Sequence, residues 1–152
     1  MTTEKAAVRP TGVAVVGAGY WGINHVRSFA RLPGCELVEV CDSDARNRGR
    51  AQALSPGVRL SSDFAEVLKN PAVDAVVLAT PAVLHAEQTI AALKAGKHVL
   101  VEKPLALTTP DAEAVCRAAE ESGKVLMVGH LMLYHSAVLR LRDLVRAGEI
   151  GD

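Results

Sequence analysis

Residues Val13 to Gly22 read Val-Ala-Val-Val-Gly-Ala-Gly-Tyr-Trp-Gly. The unbroken apolar run Val13 to Val16 describes a strand covered on both faces. It passes straight into glycines at the first, third and sixth positions of Gly17 to Gly22. From Gly22 to Leu32, Ile23, Val26 and Phe29/Ala30 recur at helical spacing until Pro33-Gly34 stops the helix. A strand that turns through GxGxxG into a helix is the setting in which that pattern carries chemistry. Gly17 permits the tight turn, Gly19 lets a diphosphate approach the backbone, and Gly22 lets helix and strand pack closely. Free amides and the positive end of the helix then hold the anion, so no basic patch is needed. The plainer alternative is an ordinary strand-to-helix turn.

Outward from this stretch, short apolar runs alternate with helical patterns. Glu36 to Cys41 alternates like a strand, Ala45 to Leu54 suits a helix with an arginine-rich outer side, and Ser55-Pro-Gly57 closes it. A short strand at Val58 to Leu60 precedes Asp63, an N-cap for a small helix through Lys69. Ala75 to Leu78 is a buried strand, Val83 to Ala95 a helix closed by Gly96, and His98 to Val101 the next strand. Thr109 reads as an N-cap with Pro110 at the first helical position, opening a helix to Ser122 with Gly123 behind it. Val125 to Val128 is the sixth strand. Ser136 caps a last helix with Val138, Leu141, Leu144 and Val145 on one side. Strands alternating with helices imply right-handed crossovers and a doubly wound, Rossmann-type parallel sheet of the α/β class, with expected strand order 3-2-1-4-5-6. The division this suggests is a flexible tail over 1–11, a dinucleotide-binding unit over 12–130, and a connecting segment with a helix over 131–152.

Composition narrows the function. The 152 residues suffice for one domain with its own core, and 49% hydrophobic with 22% charged residues is ordinary globular composition. Lys plus Arg and Asp plus Glu both count 17, and aromatics are 3%, which argues against a nucleic-acid binder. No apolar stretch is long enough to span a membrane. Cys35, Cys41 and Cys116 form no CxxC and read as reduced, mostly buried thiols of a cytoplasmic protein. The five histidines show neither HxH nor HExxH spacing, so no metal is expected. His25 and His98 read as structural. His130 and His135 lie toward the expected cleft, where they either face substrate or pack at a domain joint.

In an open parallel sheet the strand tips share one edge, where ligands bind. Asp42 ends the second strand, where an acid holds adenosine ribose hydroxyls. A carboxylate there repels a 2′-phosphate by roughly several kcal/mol at an effective dielectric near 20, which favours NAD over NADP. Arg46, Arg48 and Arg50 pull the other way only if one of them can reach that phosphate. Lys103, at a strand end and locked by Pro104, either hydrogen-bonds and deprotonates a substrate hydroxyl or forms a salt bridge with Glu102. Tyr20 and Trp21 sit within the phosphate loop, where an aromatic packs on the cofactor or on a second domain.

The ordered set GAGYWG (Gly17 to Gly22), TPAVLH (Thr80 to His85), GKHVLVEKPLA (Gly96 to Ala106) and VGHLMLYH (Val128 to His135) resembles the Gfo/Idh/MocA oxidoreductases. The resemblance runs from about Val13 to Asp152. It implies an NAD(P)-dependent enzyme acting on sugars, inositols or sugar nucleotides, with Lys103 touching the reacting hydroxyl and a cis Lys103–Pro104 bond. It also implies that Thr80, Pro81 and His85 line the cofactor and that Glu102 lies near the nicotinamide ribose. GHLMLYH is most similar to members that oxidise UDP-sugar acids. Family members run to more than twice this length and form oligomers through a second α/β domain that completes the substrate pocket; 131–152 would open that domain. The isolated chain is therefore expected to bind nucleotide without turnover, and to expose Leu131, Leu133, Leu139 and Val145. The competing readings are a non-catalytic nucleotide-binding module, which shares every cofactor residue, and an S-adenosylmethionine-dependent methyltransferase, in which Lys103-Pro104 has no obvious task.

Overall fold

The structure, a computed structural model, describes residues 9–151. Strands β1 (Thr11–Val16), β2 (Cys35–Cys41), β3 (Arg59–Ser61), β4 (Ala75–Leu78), β5 (His98–Val101) and β6 (Leu126–Val128) form one sheet of order β3-β2-β1-β4-β5-β6. Every adjacent pair is parallel. This is the Rossmann arrangement expected from the alternation, and its order reverses between β1 and β4. Helices α1 (Gly22–Phe29), α2 (Ala45–Leu54), α3 (Phe64–Lys69), α4 (His85–Lys94), α5 (Thr109–Ser122) and α6 (Ser136–Arg146) complete it. Side chains leave a strand alternately to its two faces. Val13 and Val15 thus join Ile23, Val26 and Ala51 in one core, while Ala14, Val16, Val76 and Leu78 join Val67, Leu93 and Ala118 in the other.

Several boundaries move for local reasons. Thr11, expected to end a flexible tail, begins β1 and pairs with Cys35, and Arg9 before it is ion-paired to Asp74. The rest of the expected tail, 1–8, lies outside the described residues. Helix α1 stops at Phe29 rather than Leu32, because a residue preceding proline is pushed out of the helical region and Gly34 turns at φ 81°. Ala82–Leu84 forms a 3-10 turn, so α4 proper starts at His85. Thr108, not Thr109, caps α5, and His135, not Ser136, caps α6 by accepting the Ala137 amide on Nδ1. The thiols are less sheltered than expected: Cys41 is buried, Cys35 half-buried and Cys116 exposed, all of them free. Among the described residues, no helix is long and apolar enough to cross a membrane. No group of three or more His, Cys, Asp or Glu among them could hold a metal ion.

Candidate dinucleotide site

The switch between β1 and β4 opens a cleft of about 490 Å³ at the C-terminal ends of β1, β2 and β4, walled in part by Gly17, Gly19, Asp42, Thr80 and Pro81. Two glycines make the closure possible. At Gly17 the backbone adopts φ 85°, and a Cβ would meet the Ala79 carbonyl at 2.7 Å. At Gly22 a Cβ would fall on the carbonyl oxygen of Gly17, so helix and strand touch through backbone alone. Gly19 is the opposite case, since a Cβ there would meet nothing within 4 Å. Trp21, the N-cap of α1, gives no side-chain hydrogen bond to the helix amides. The amides of Ile23 and Asn24 are taken by the carbonyls of Gly19 and Trp21, so the surface that suits a diphosphate is the glycine loop itself, with the positive dipole end of α1 behind it.

Asp42, one residue beyond β2, closes the other end of the cleft. Its Oδ2 accepts the Ala18 amide at 2.7 Å and Asn47 Nδ2 at 3.2 Å, and its Oδ1 accepts the Asp44 amide at 2.8 Å. The carboxylate thus locks the glycine loop to the β2–α2 turn while facing the cleft. The neighbouring arginines are occupied. Arg48 donates to the carbonyls of Asp42 (2.6 Å) and Ser43 (3.0 Å), and Arg46 pairs with Asp44 at 3.2 Å. The Arg46 amide, and then its side chain, hold the Asp44 carboxyl below its ordinary range. Arg50 is exposed. Asn47 and Gln88 also line the cleft and were not singled out from sequence. Gln88, in the first turn of α4, accepts the Thr80 hydroxyl at 2.6 Å across a separation of 8 residues, which carries no recognisable signal in the sequence.

His85 does not line this cleft. It is 1% exposed, with Nε2 at 2.8 Å from the Thr80 carbonyl and Nδ1 at 2.7 Å from that of Pro104. A buried imidazole needs such partners, and here they tie the loop after β4 to the loop after β5. Its expected place against the cofactor is corrected accordingly: it stands behind the two loops that would touch one. Burial also pushes the Cys41 thiol, at the cleft floor, above its ordinary range.

The remaining residues gather around two further hollows beside β5 and β6. Glu102, 8% exposed, accepts the indole N–H of Trp21 at 2.6 Å, lies 2.8 Å from His25 Nε2, and takes the Lys103 amide at 3.3 Å. Trp21, His25 and Glu102 border a hollow of about 320 Å³ with His130 and Tyr134. Lys103 forms no ion pair with Glu102. Its side chain is exposed, beside an apolar hollow of about 520 Å³ formed with Gly129 and Leu131–Leu133. The lysine is therefore not enclosed, although the strand it follows is covered on both faces. The Lys103–Pro104 peptide is cis. Tyr20 is 91% exposed and borders none of these hollows. His98 accepts the Val125 amide at 3.0 Å on Nδ1, a structural role far from the cleft.

Known proteins share this arrangement. 4-Carboxy-2-hydroxymuconate-6-semialdehyde dehydrogenase of Sphingobium sp. is 38% identical over 138 residues, covering 91% of this chain and 44% of that protein. 1,5-Anhydro-D-fructose reductase of Ensifer adhaerens is 40% identical over 138 residues, covering 90% of this chain and 41% of that one. The crystal structure of the WlbA dehydrogenase from Bordetella pertussis in complex with NADH and UDP-GlcNAcA superposes with a TM-score of 0.85 at 31% identity, covering 94% of this chain and 44% of that one. The chain thus spans less than half the length of the relatives it matches. The model of the Gfo/Idh/MocA oxidoreductase family with an NAD-binding Rossmann fold matches residues 11–130, and the chain belongs to that family.

Proposed function

We propose that the chain binds NAD across the C-terminal edge of its sheet and serves as the nucleotide-binding half of a dehydrogenase for sugars, inositols or sugar nucleotides. One observation carries this reading: the open side of Gly19, in the loop that enters α1, borders a cleft that has the Asp42 carboxylate on its wall. In this reading the glycine-loop amides at the positive end of α1 hold the diphosphate, Asp42 accepts from the adenosine ribose hydroxyls, and Thr80 and Pro81 border the path toward β5. Lys103 hydrogen-bonds the substrate hydroxyl and takes part in moving its proton. The nicotinamide, when bound, supplies the acceptor for hydride from the carbinol carbon. Relatives named as inositol 2-dehydrogenase and dTDP-3,4-didehydro-2,6-dideoxy-alpha-D-glucose 3-reductase support this substrate range. The segment Gly129 to His135, similar to that of enzymes oxidising UDP-sugar acids, favours a sugar nucleotide within it. Trp21 is the sole tryptophan, beside the phosphate loop. Its emission is expected to respond to NADH and at least about tenfold more weakly to NADPH, since two like charges a few ångströms apart cost kcal/mol. An equal response to both would overturn the NAD preference, and no response to either would overturn the binding site.

A second reading, a nucleotide-binding module without turnover, is favoured by the exposure of Lys103, whose ammonium lies in water rather than in a dry pocket. Oxidation of inositols or UDP-sugars by the chain would exclude it, whereas nucleotide binding without turnover is common to both readings.

A further inference from the structure

We propose that His25 is a positioning residue for the nicotinamide half of the site, acting through Glu102; this rests on the dinucleotide reading above. Trp21 and His25 lie one turn apart at the start of α1, so they project from one side of the helix. Both reach the same atom: Glu102 Oε1 is 2.6 Å from the indole nitrogen and 2.8 Å from His25 Nε2. The pair is secluded, with side-chain exposures of 19% for His25 and 10% for Glu102. A carboxylate so placed persists only with its oxygens satisfied. The other oxygen takes the Lys103 amide at 3.3 Å. Glu102 also packs beneath Gly129, where a Cβ would come within 3.1 Å of Oε2. One buried carboxylate therefore joins the diphosphate-binding end of α1 to the turn that carries Lys103 and to the tip of β6. His25 also lies beside the Phe29 ring, 6.5 Å between centroids, while α1 enters the core through Ile23 and Val26, so thermal melting separates any packing loss from the loss of the Glu102 link. The other titratable groups on the same hollow are His130 and Tyr134, and neither is hydrogen-bonded to Glu102.

Without His25 the carboxylate keeps one side-chain donor and gains freedom to turn, and the Lys103 turn moves with it. The adenosine end, fixed by Asp42 and the Ala18 amide, does not depend on this link. The measurement is calorimetric titration of the 152-residue chain with NADH and with ADP, which lacks the nicotinamide half, alongside thermal melting. His25→Ala is expected to weaken NADH about tenfold, as for loss of a hydrogen bond to a charged group, with ADP affinity unchanged. His25→Gln, which returns an N–H at similar reach, is expected to restore NADH affinity. In a Glu102→Gln background His25→Ala should have no further effect on NADH, because the two act as one unit. Trp21→Phe, which keeps an aromatic ring but removes the indole N–H together with the pyrrole ring, tests the same link should His25→Ala fail to fold, and is expected to give an NADH-selective loss. If NADH and ADP affinities stay unchanged or fall together in these variants, the positioning role is overturned. If the unmodified chain binds neither ligand, the dinucleotide reading itself fails.

Discussion

Gly19 and Gly22 look alike in the sequence and answer to opposite constraints. A methyl at Gly22 would overlap the Gly17 carbonyl, a backbone atom that can move only if β1 and α1 separate. Gly22→Ala is therefore expected to destabilise the fold by about 3 kcal/mol, at the upper end of overpacking costs, seen as a lowered urea midpoint. A methyl at Gly19 meets nothing, and its φ is not positive, so Gly19→Ala should leave stability within about 0.5 kcal/mol. It would nonetheless stand where a diphosphate approaches the amides, and NADH affinity should fall severalfold or more. Equal stability losses at the two sites would refute this division. These roles were legible because GxGxxG spacing, once placed between a strand and a helix, leaves little freedom. The roles of His25, His85 and Lys103 were not. His25 and His85 depend on partners far along the chain, Glu102 and Pro104, and the position of Lys103 just beyond β5 does not say in sequence whether its side chain is buried or, as here, exposed.

At the scale of elements, sequence patterning located Ala45–Leu54, Ala75–Leu78 and His98–Val101 to the residue; the two strands are short apolar runs that feed both cores, Val76 and Leu78 on one face and Val77 on the other. Caps were harder. Thr108-Thr109 and His135-Ser136 each offer two neighbouring candidates. The choice fell to geometry invisible in the string: Thr108 Oγ1 accepts the Asp111 amide at 3.3 Å while donating to its carboxylate at 2.6 Å, a reciprocal cap. The last helix differs from the others in kind. It is strongly amphipathic, yet α6 buries no residue, and Leu141 and Val145 are each 52% exposed. Leu139, expected to be exposed with them, is half-buried. A helix of this length is marginal without tertiary packing. Its amides should therefore exchange with solvent about a hundredfold or more faster than those of β1 and β4, whose release requires global unfolding. Hydrogen exchange read by mass spectrometry checks this, and equal protection would show that α6 is held by more than its own turns.

Across the whole molecule, ligand chemistry and structural clamping occupy opposite edges of the sheet. The C-terminal edge carries the cleft with Asp42 and Gly19 on its wall, while the N-terminal edge is fastened by Asp74. Its carboxylate receives both nitrogens of the Arg9 fork at 2.6 and 2.8 Å and the Gly12 amide at 2.8 Å, and its backbone pairs with Gly12 and His98. One residue so links the entries of β1, β4 and β5. The Arg9 hydrogen bond, and next the Gly12 amide, hold the Asp74 carboxyl below its ordinary value near 4. A carboxyl whose folded value is depressed contributes stability that is fully present above its unfolded value of about 3.9 and is lost as pH falls through the folded value. Asp74→Asn is thus expected to lower the urea midpoint at pH 7, to approach the unmodified chain as pH drops below that range, and to lose part of its effect in high salt, because Arg9 is exposed and its charge screened. Urea titrations of both chains from pH 7 to pH 3 test the sign. A gap that stayed constant with pH would mean that the difference does not come from the carboxylate charge, the one property that asparagine, able to keep the Gly12 contact, cannot supply.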